Sequence, residues 1–297
     1  MDGPLWIDTH APALSEIRQA EARDHLQRAV DEPMNLVVQG PPGAGKTAAV
    51  RALAEAAHAE PESDLIELNV ADFFGRTKKQ IRTDPRFEGF LAGKRRMAKR
   101  DMINHVLTES AAYAPMSGAY KTIVLDNAEA IREDFQQALR RVMERHHRTT
   151  QFVIVTRQPS TLIAPIRSRC FPVPVRAPTA DEIEGVLAPI LDAEDVDYDD
   201  DGLEFVAGYA DGDLRKAILG AQTAAVETGE VTMTAVHGTL SDVGYGDELA
   251  AARASLVRTL QHHAQAAEAA DGPRRAREHL SAAREAAEAL AALDERR

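Results

Sequence analysis

Short apolar runs and amphipathic stretches alternate along about the first 175 residues. Four apolar runs predict β-strands, at 34–38, 64–70, 121–126 and 151–156. The run at 121–126 is apolar enough for a strand buried on both faces, as in a parallel sheet. Segments with helical character lie between the strands, notably 134–147, and a further helix-like segment spans 15–30. Strands that alternate with helices predict an α/β unit with a parallel sheet.

The pattern changes after residue 179, where short helices replace strands. The predicted helices span 181–191, 200–210 and 213–227, and Pro172, Pro174 and Pro178 mark the boundary. From Gly244 onward the chain is rich in Ala, Glu and Arg, and it predicts two helices with narrow apolar stripes. Such helices usually need a partner, although a loosely attached tail is the alternative. The predicted domains are 1–176, 177–238 and 239–297.

Residues 40–47 read G-P-P-G-A-G-K-T, which is a complete phosphate-binding loop between a predicted strand and the helix-like segment 48–54. Its glycines let backbone N–H groups turn around phosphate oxygens, and the helix N-terminus adds a positive dipole end. Lys46 is expected to reach the β- and γ-phosphates, and Thr47 to ligate Mg²⁺. The alternative, an ordinary glycine-rich turn, does not account for the strand and helix on either side. The predicted nucleotide contacts are Gly40, Pro41, Pro42, Gly43, Ala44, Gly45, Lys46, Thr47 and Ala48.

Composition narrows the class of protein. The chain has 297 residues, of which 44% are hydrophobic, so it can bury the cores of two or three domains. No apolar run approaches the roughly 20 residues of a membrane span, and the N-terminus lacks signal-peptide features, so we expect a cytoplasmic protein with no membrane partner. Cys170, the single cysteine, is expected to be a packed thiol. A net charge of −12 excludes a nucleic-acid footprint over the whole surface.

Positive charge is concentrated in residues 76–100. This stretch carries ten basic residues and two acidic ones, a local net charge of +8. A contact with the phosphate backbone of DNA is one interpretation, and a solvated loop is the other. The candidate DNA contacts are Arg76, Lys78, Lys79, Arg82, Arg95 and Arg96.

Asp126 ends a predicted strand that should lie beside the phosphate-binding loop, where a carboxylate can hold Mg²⁺ through water. Thr47 and Asp126 are therefore the predicted magnesium ligands. The next residue is Asn127, whose amide can orient a water molecule but cannot accept its proton. Glu129 is a substitute base only if the strand continues in register.

Two arginines farther along the chain are candidate phosphate ligands. Arg169 follows the fourth strand and can either complete the nucleotide site of a neighbouring subunit or lie on the surface in solvent. Arg215 lies at the start of a helix for which Asp213 is a candidate N-cap. It can either reach back toward the γ-phosphate or remain a surface residue.

Over most of residues 5–220, the chain resembles the small subunits of replication factor C, the archaeal and eukaryotic sliding-clamp loader among the AAA+ ATPases. The phosphate-binding loop is generic, whereas Q-A-L-R-R followed by S-R-C is much more specific. The matching segments, which keep the family's order, are L-W-I-D at 5–8, the loop at 40–47, L-N-V-A-D at 68–72, V-L-D at 124–126, Q-Q-A-L-R-R-V-M-E at 136–144, P-I-R-S-R-C at 165–170 and G-D-L-R-K-A-I at 212–218.

The resemblance implies an AAA+ parallel-sheet domain, then a helical lid and a helical C-terminal collar that holds a pentameric ring of replication factor C subunits together. It implies ATP and Mg²⁺ as cofactors, Arg169 as an arginine finger acting in trans, and Arg215 as the second sensor. The implied role is to open a ring-shaped clamp with ATP bound, place it on primer–template DNA and release it upon hydrolysis.

The chain also departs from the family pattern. The family's D-E-A-D motif becomes Asp126-Asn127-Ala128-Glu129, and its first-sensor asparagine aligns with Arg157. These changes affect the hydrolytic residues and leave the binding residues intact. The hypothesis is therefore a specialised subunit of a DNA-stimulated ATPase complex, which binds ATP and lends its finger to a neighbour but hydrolyses its own ATP slowly or not at all.

Two alternatives remain. One is a structural ring member that holds nucleotide as a fixed brace and has no motor activity. The other is an origin-recognition or helicase-type AAA+ protein, which predicts a basic winged-helix module where residues 247–297 instead suggest two helices.

Overall fold

Five parallel strands form the main sheet of the computed structural model. The structure describes residues 4–83, 89–91 and 97–242, together with 260, 264–267, 277, 279–281, 283, 284 and 287. The strands are β1 Leu36–Gln39, β2 Leu65–Asn69, β3 Lys121–Asp126, β4 Thr150–Thr156 and β5 Phe171–Pro174. Neighbours in the sheet follow the order β2-β3-β4-β1-β5, so β1 lies between β4 and β5.

Helices cover both faces of this sheet, which explains why the central strands β1, β3 and β4 are buried without alternation. On one face, Leu125 of β3 and Ile154 of β4 belong to one core cluster. On the other face, Val124 and Val153 belong to a second cluster. The helices with bounds in the described residues are α1 Trp6–Thr9, α2 Ala20–Asp31, α3 Lys46–Ala57, α4 Pro61–Asp64, α5 Val70–Gly75, α6 Lys78–Arg82, α7 Lys99–Ala112, α8 Glu133–His146, α9 Ala164–Arg167, α10 Ala180–Ala193, α11 Asp200–Ala210, α12 Leu214–Thr228 and α13 Met233–Asp242.

The chain divides into two compact units, which we call the sheet unit (Pro12–Arg176) and the helical unit (Met1–Ala11 with Ala177–Arg297). In the helical unit, α10 to α13 pack around a core that includes Leu187 and Phe205. Two short strands, β6 Asp197–Tyr198 and β7 Glu230–Val231, pair in parallel there.

The N-terminal segment belongs to the helical unit, whereas the sequence prediction placed residues 1–176 in one domain. Trp6 of α1 is only 6% exposed and is part of the helical core. Its backbone N–H donates to Gln222 Oε1 at 3.1 Å, and Gln222 Nε2 donates to the carbonyl of Pro4 at 2.9 Å. Burial of one large aromatic side chain therefore determines where this segment packs.

Two local predictions differ from the structure. The expected helix at 15–30 is a 3₁₀ turn, Leu14–Glu16, followed by α2 from Ala20. The side chain of Gln19 forms hydrogen bonds with both the N–H and the carbonyl of Arg176. These bonds keep the short segment between the 3₁₀ turn and α2 extended. Likewise Pro172, expected at a domain boundary, lies inside β5.

Prolines fit β5 because this strand pairs with β1 alone at the edge of the sheet. Phe171 donates its N–H to Asn35 O at 2.7 Å and Val175 donates to Gln39 O at 2.8 Å. Pro172 and Pro174 lie between these donating residues, so the missing N–H groups do not interrupt the ladder.

The predicted class, a P-loop parallel sheet followed by helices, is confirmed. Most of the predicted segment 239–297, including residues 243–259, lies outside the described residues, so the three-domain division stays a prediction. Within the parts of the chain that the structure covers, every helix is too short or too polar to cross a membrane.

Candidate functional site

The phosphate-binding loop joins the end of β1 to the first residue of α3. Gly43 and Gly45 have φ angles of 66° and 89°, in the left-handed region that favours glycine. A Cβ at Gly40 would lie 1.8 Å from the carbonyl oxygen of Val175, the residue that follows β5, so only glycine fits there. The glycines therefore shape a loop whose N–H groups, with those of the first turn of α3, suit an anion.

Lys46 and Thr47 open α3, as the motif requires. Lys46 is buried, and its ammonium donates to the carbonyl of Pro41 at 2.5 Å within the loop. The Thr47 hydroxyl donates to Asp126 Oδ2 at 3.1 Å. A hydroxyl and a carboxylate oxygen, both of the hard type that Mg²⁺ prefers, thus lie side by side at the start of α3. The structure brings these predicted ligands together across 79 positions of sequence.

Asn127 turns the chain away from β3. It has a left-handed conformation with φ of 55°, which asparagine tolerates better than most residues. Its backbone N–H donates to Asp126 Oδ1 at 2.7 Å, and its Nδ2 donates to Asn69 Oδ1 at 3.3 Å at the end of β2. The amide is therefore held beside Asp126 and supplies no proton acceptor of carboxylate strength.

Glu129 does not continue the strand in register, because β3 ends at Asp126 and a 3₁₀ turn follows at Ala128–Ala130. Burial alone raises the pKa of Glu129. Hydrogen bonds from the backbone and from Arg157 together lower it by more, so the net pKa lies below its ordinary value. A carboxylate held in this way is a weaker base. The substitute-base alternative therefore has no support at this position.

Arg157, the predicted divergent first sensor, follows β4 and pairs with Glu129. Its Nε lies 2.5 Å from Glu129 Oε1, and its backbone N–H donates to Glu129 Oε2 at 3.2 Å. The sequence analysis missed this pair because 28 positions separate its members, and no spacing rule links them.

Arg169, the predicted finger, forms hydrogen bonds with other residues of its own chain. Nη2 donates to Glu144 Oε1 at 2.8 Å, and Nη1 donates to the carbonyl of Pro165 at 2.7 Å. The Arg169 side chain is 38% exposed. The neighbouring Cys170 thiol has its pKa raised to about 12 by burial, offset only in part by Arg169, as expected for a packed thiol.

Comparison with known proteins adds to this geometry. Residues 36–175 match the family model described as "ATPase family associated with various cellular activities (AAA)". The chain is 33% identical to the replication factor C small subunit of Archaeoglobus fulgidus, covering 76% of this chain and 65% of that protein. It is 32% identical to the replication factor C small subunit of Thermofilum pendens, covering 82% and 69% respectively. The chain belongs to the replication factor C small-subunit family.

The predicted resemblance to replication factor C small subunits is thereby confirmed. The chain spans 65% of the length of the Archaeoglobus relative. Among solved structures it resembles the Holliday junction branch migration motor RuvB of Thermotoga maritima, with a TM-score of 0.59 and 17% identity over 80% of this chain and 74% of that one. At this identity the likeness supports the AAA+ fold alone.

The other predicted site residues of this replication factor C relative belong to other elements of the chain. Arg215 is in the first turn of α12 in the helical unit, and Asp213 caps that helix as predicted, accepting from Lys216 N–H at 3.0 Å. In the sheet unit, Thr77 caps α6 and buried Ile81 anchors it. Around this short helix lie Arg76, Lys78, Lys79 and Arg82, whereas Arg95 and Arg96 lie outside the described residues.

Proposed function

We propose that this chain is an ATP-binding subunit of a sliding-clamp loader, which helps to load the clamp onto primer–template DNA. The observation that carries the proposal is the pairing of Thr47 with Asp126 beside a complete phosphate-binding loop, in a member of the replication factor C small-subunit family. The proposed partners are other replication factor C subunits in a ring of five, the clamp and the DNA.

Lys46 and the loop N–H groups would hold the phosphates of ATP, while Thr47 and Asp126 would hold Mg²⁺. When bound there, Mg²⁺ neutralises charge on the phosphate oxygens. Arg215 is the proposed second sensor, Arg169 is the proposed finger for a neighbour's site, and the basic residues around α6 are the proposed DNA contacts.

Hydrolysis at this chain's own site is proposed to be slow. Asn127 stands where the family motif has a glutamate, and an amide does not take a proton from water. Glu129, the nearest other carboxylate after β3, is engaged with Arg157. The same observation favours a second candidate, a ring member that holds nucleotide as a brace without motor activity.

Single-turnover ATP hydrolysis tests the proposal, with the subunit alone and then assembled with partner subunits, clamp and primed DNA. We expect wild type to bind ATP without turnover at its own site, Lys46→Ala to lose binding and Arg169→Ala to slow the neighbouring site. Brisk own-site turnover that Lys46→Ala abolishes would contradict the slow-site proposal. Clamp affinity independent of nucleotide would favour the brace.

A further inference from the structure

Glu129 and Arg157 meet at the edge of the sheet that carries the phosphate-binding loop. Arg157 directly follows Thr156, which pairs with Gln39 at the end of β1. The carbonyl of Thr156 accepts the N–H of Gly40, the first loop residue, at 3.3 Å. The Arg157 side chain is therefore attached at the edge of the sheet where the phosphates of a nucleotide are expected to bind.

The two members of this pair differ in how firmly they are held. Glu129 is 14% exposed and accepts hydrogen bonds from three donors: the Thr156 hydroxyl at 3.2 Å, and the backbone N–H and Nε of Arg157. The Arg157 side chain is 53% exposed, and within the described residues its terminal Nη1 and Nη2 groups make no hydrogen bond to protein. The carboxylate is thus the fixed member, and the guanidinium is the one that can change partner.

We propose that Glu129 sets how strongly this site selects a nucleoside triphosphate over a diphosphate, by competing with the terminal phosphate for Arg157. This inference rests on the proposed ATP site. A guanidinium binds carboxylate and phosphate with the same planar set of donors, so the two anions compete for it. A diphosphate has no terminal γ-phosphate, so Arg157 stays with Glu129. A triphosphate gains the arginine only after displacing the carboxylate, which weakens its apparent affinity.

A purely structural role makes a different prediction. Glu129 also fixes the backbone after β4 through Arg157 N–H and the Thr156 hydroxyl. If that were its whole function, its loss would disturb triphosphate and diphosphate binding alike. Glu129→Gln separates the two roles, because the amide oxygen still accepts from both donors while the negative charge is gone.

The test is equilibrium binding of a non-hydrolysable ATP analogue and of ADP, each with Mg²⁺, to the full chain. Glu129→Gln should tighten triphosphate binding by about fivefold or more and leave ADP binding unchanged. Fivefold is the lower end of the usual range for the coupling between two binding events. Arg157→Gln should weaken triphosphate binding selectively. The double variant should match Arg157→Gln, because Glu129 acts through Arg157.

The matched control is Glu67→Gln, which removes the charge from another Arg–carboxylate pair of the sheet unit. Arg51 Nε lies 2.7 Å from Glu67 Oε1, and Nη2 lies 2.8 Å from Oε2. This variant should leave the triphosphate-to-diphosphate ratio unchanged, and thermal melts should show that all variants fold. Should Glu129→Gln fail to fold, Glu129→Asp withdraws the carboxylate by one methylene, and we again expect tighter triphosphate binding.

The inference is overturned if Glu129→Gln leaves triphosphate binding unchanged, if it changes both affinities equally, or if its effect persists in the Arg157→Gln background. Failure of the proposed ATP site has a separate signature. In that case wild type binds neither nucleotide, or Lys46→Ala binds both as tightly as wild type does.

Discussion

The proposed function assigns nucleotide binding and hydrolysis to different residues of this chain. Asp126 keeps its contact with Thr47, the pair expected to serve the metal. Asn127, the very next residue, directs an amide toward Asn69. One position of sequence therefore separates a group that suits Mg²⁺ from a group that cannot act as the base.

Asn127→Glu should raise own-site hydrolysis in the assembled complex by about 10² or more, the scale of general-base catalysis. Residue 127 has φ of 55°, so the change should also cost about 1 kcal/mol of folding free energy. Asn127→Gln is the control, because it carries the same backbone strain without a carboxylate. Single-turnover assays decide the point, and equal rates in both variants would remove the catalytic assignment.

His58 should make stability depend on pH. Burial lowers its pKa below the ordinary 6.5, and the charge of Asp64 offsets only part of that shift. His58 Nε2 lies 2.8 Å from the Thr122 hydroxyl, and its ring meets Tyr120 edge-on. The unfolded chain binds the proton more readily than the folded chain does. The contribution of neutral His58 to folding stability is therefore complete above pH 6.5, and it is lost as pH falls through the lower pKa of the folded state.

The check is the free energy of unfolding in urea at about pH 7.5 and about pH 5.5. His58→Gln does not titrate, so it should lose less stability than wild type over this interval. Equal losses in the two proteins would show that His58 carries no part of the dependence.

At the residue level, contacts that follow from a motif and the sheet topology were predictable, whereas pairs that no motif links were not. The contact of Thr47 with Asp126 follows from the loop and from the rule that parallel strands end at one edge. The partner of Arg169 was not predicted, although Glu144 lies in the Q-A-L-R-R-V-M-E segment that identified the family. No local pattern specifies that a carboxylate on one helix will face an arginine 25 positions later.

At the scale of elements, α8 contributes its last turn to the position of Arg169. Glu144 accepts from Arg169 at 2.8 Å and from Arg140 at 3.4 Å. If Arg169 acts on a neighbouring site, its orientation before assembly affects the neighbour's rate, because a pre-positioned donor costs less to recruit.

Glu144→Gln should therefore slow the neighbour's turnover by about tenfold while leaving its KM for ATP unchanged. Arg140→Gln is the matched control, since it removes the weaker contact to the same carboxylate and leaves Arg169 bonded. Assembled-complex kinetics provide the measurement. A rate unaffected by Glu144→Gln would mean that the pair has no effect on the finger.

Some elements were predictable together with their limits, and one strand was missed altogether. The observed β3 matches the predicted run, and α11 spans the predicted residues 200–210. The strand β5 was missed because prolines normally argue against a strand, and only its place at the edge of the sheet makes Pro172 acceptable. A sequence does not reveal which strand lies at the edge, so this error has a topological cause.

At the scale of the whole molecule, the two units have separate cores. Trp6 is the chain's one tryptophan and lies in the helical unit, so its fluorescence reports that unit. Gln222 holds the segment by accepting from Trp6 N–H and donating to Pro4 O. Gln222→Ala removes the hydrogen-bond partner of Trp6 N–H and of Pro4 O. It should lower the midpoint of the unfolding transition that Trp6 fluorescence follows, by an amount equivalent to about 1–3 kcal/mol.

Nucleotide should stabilise the two units unequally, because the loop and Asp126 both belong to the sheet unit. A ligand at about 100 times its Kd adds about 2.7 kcal/mol to whatever unfolds with its site. We therefore expect ATP and Mg²⁺ to raise the circular-dichroism midpoint of the sheet unit more than the Trp6 fluorescence midpoint, because the helical unit contributes only Arg215 to the proposed nucleotide contacts. Lys46→Ala should abolish the first shift. Equal shifts by both probes would instead mean that the chain unfolds as one cooperative unit.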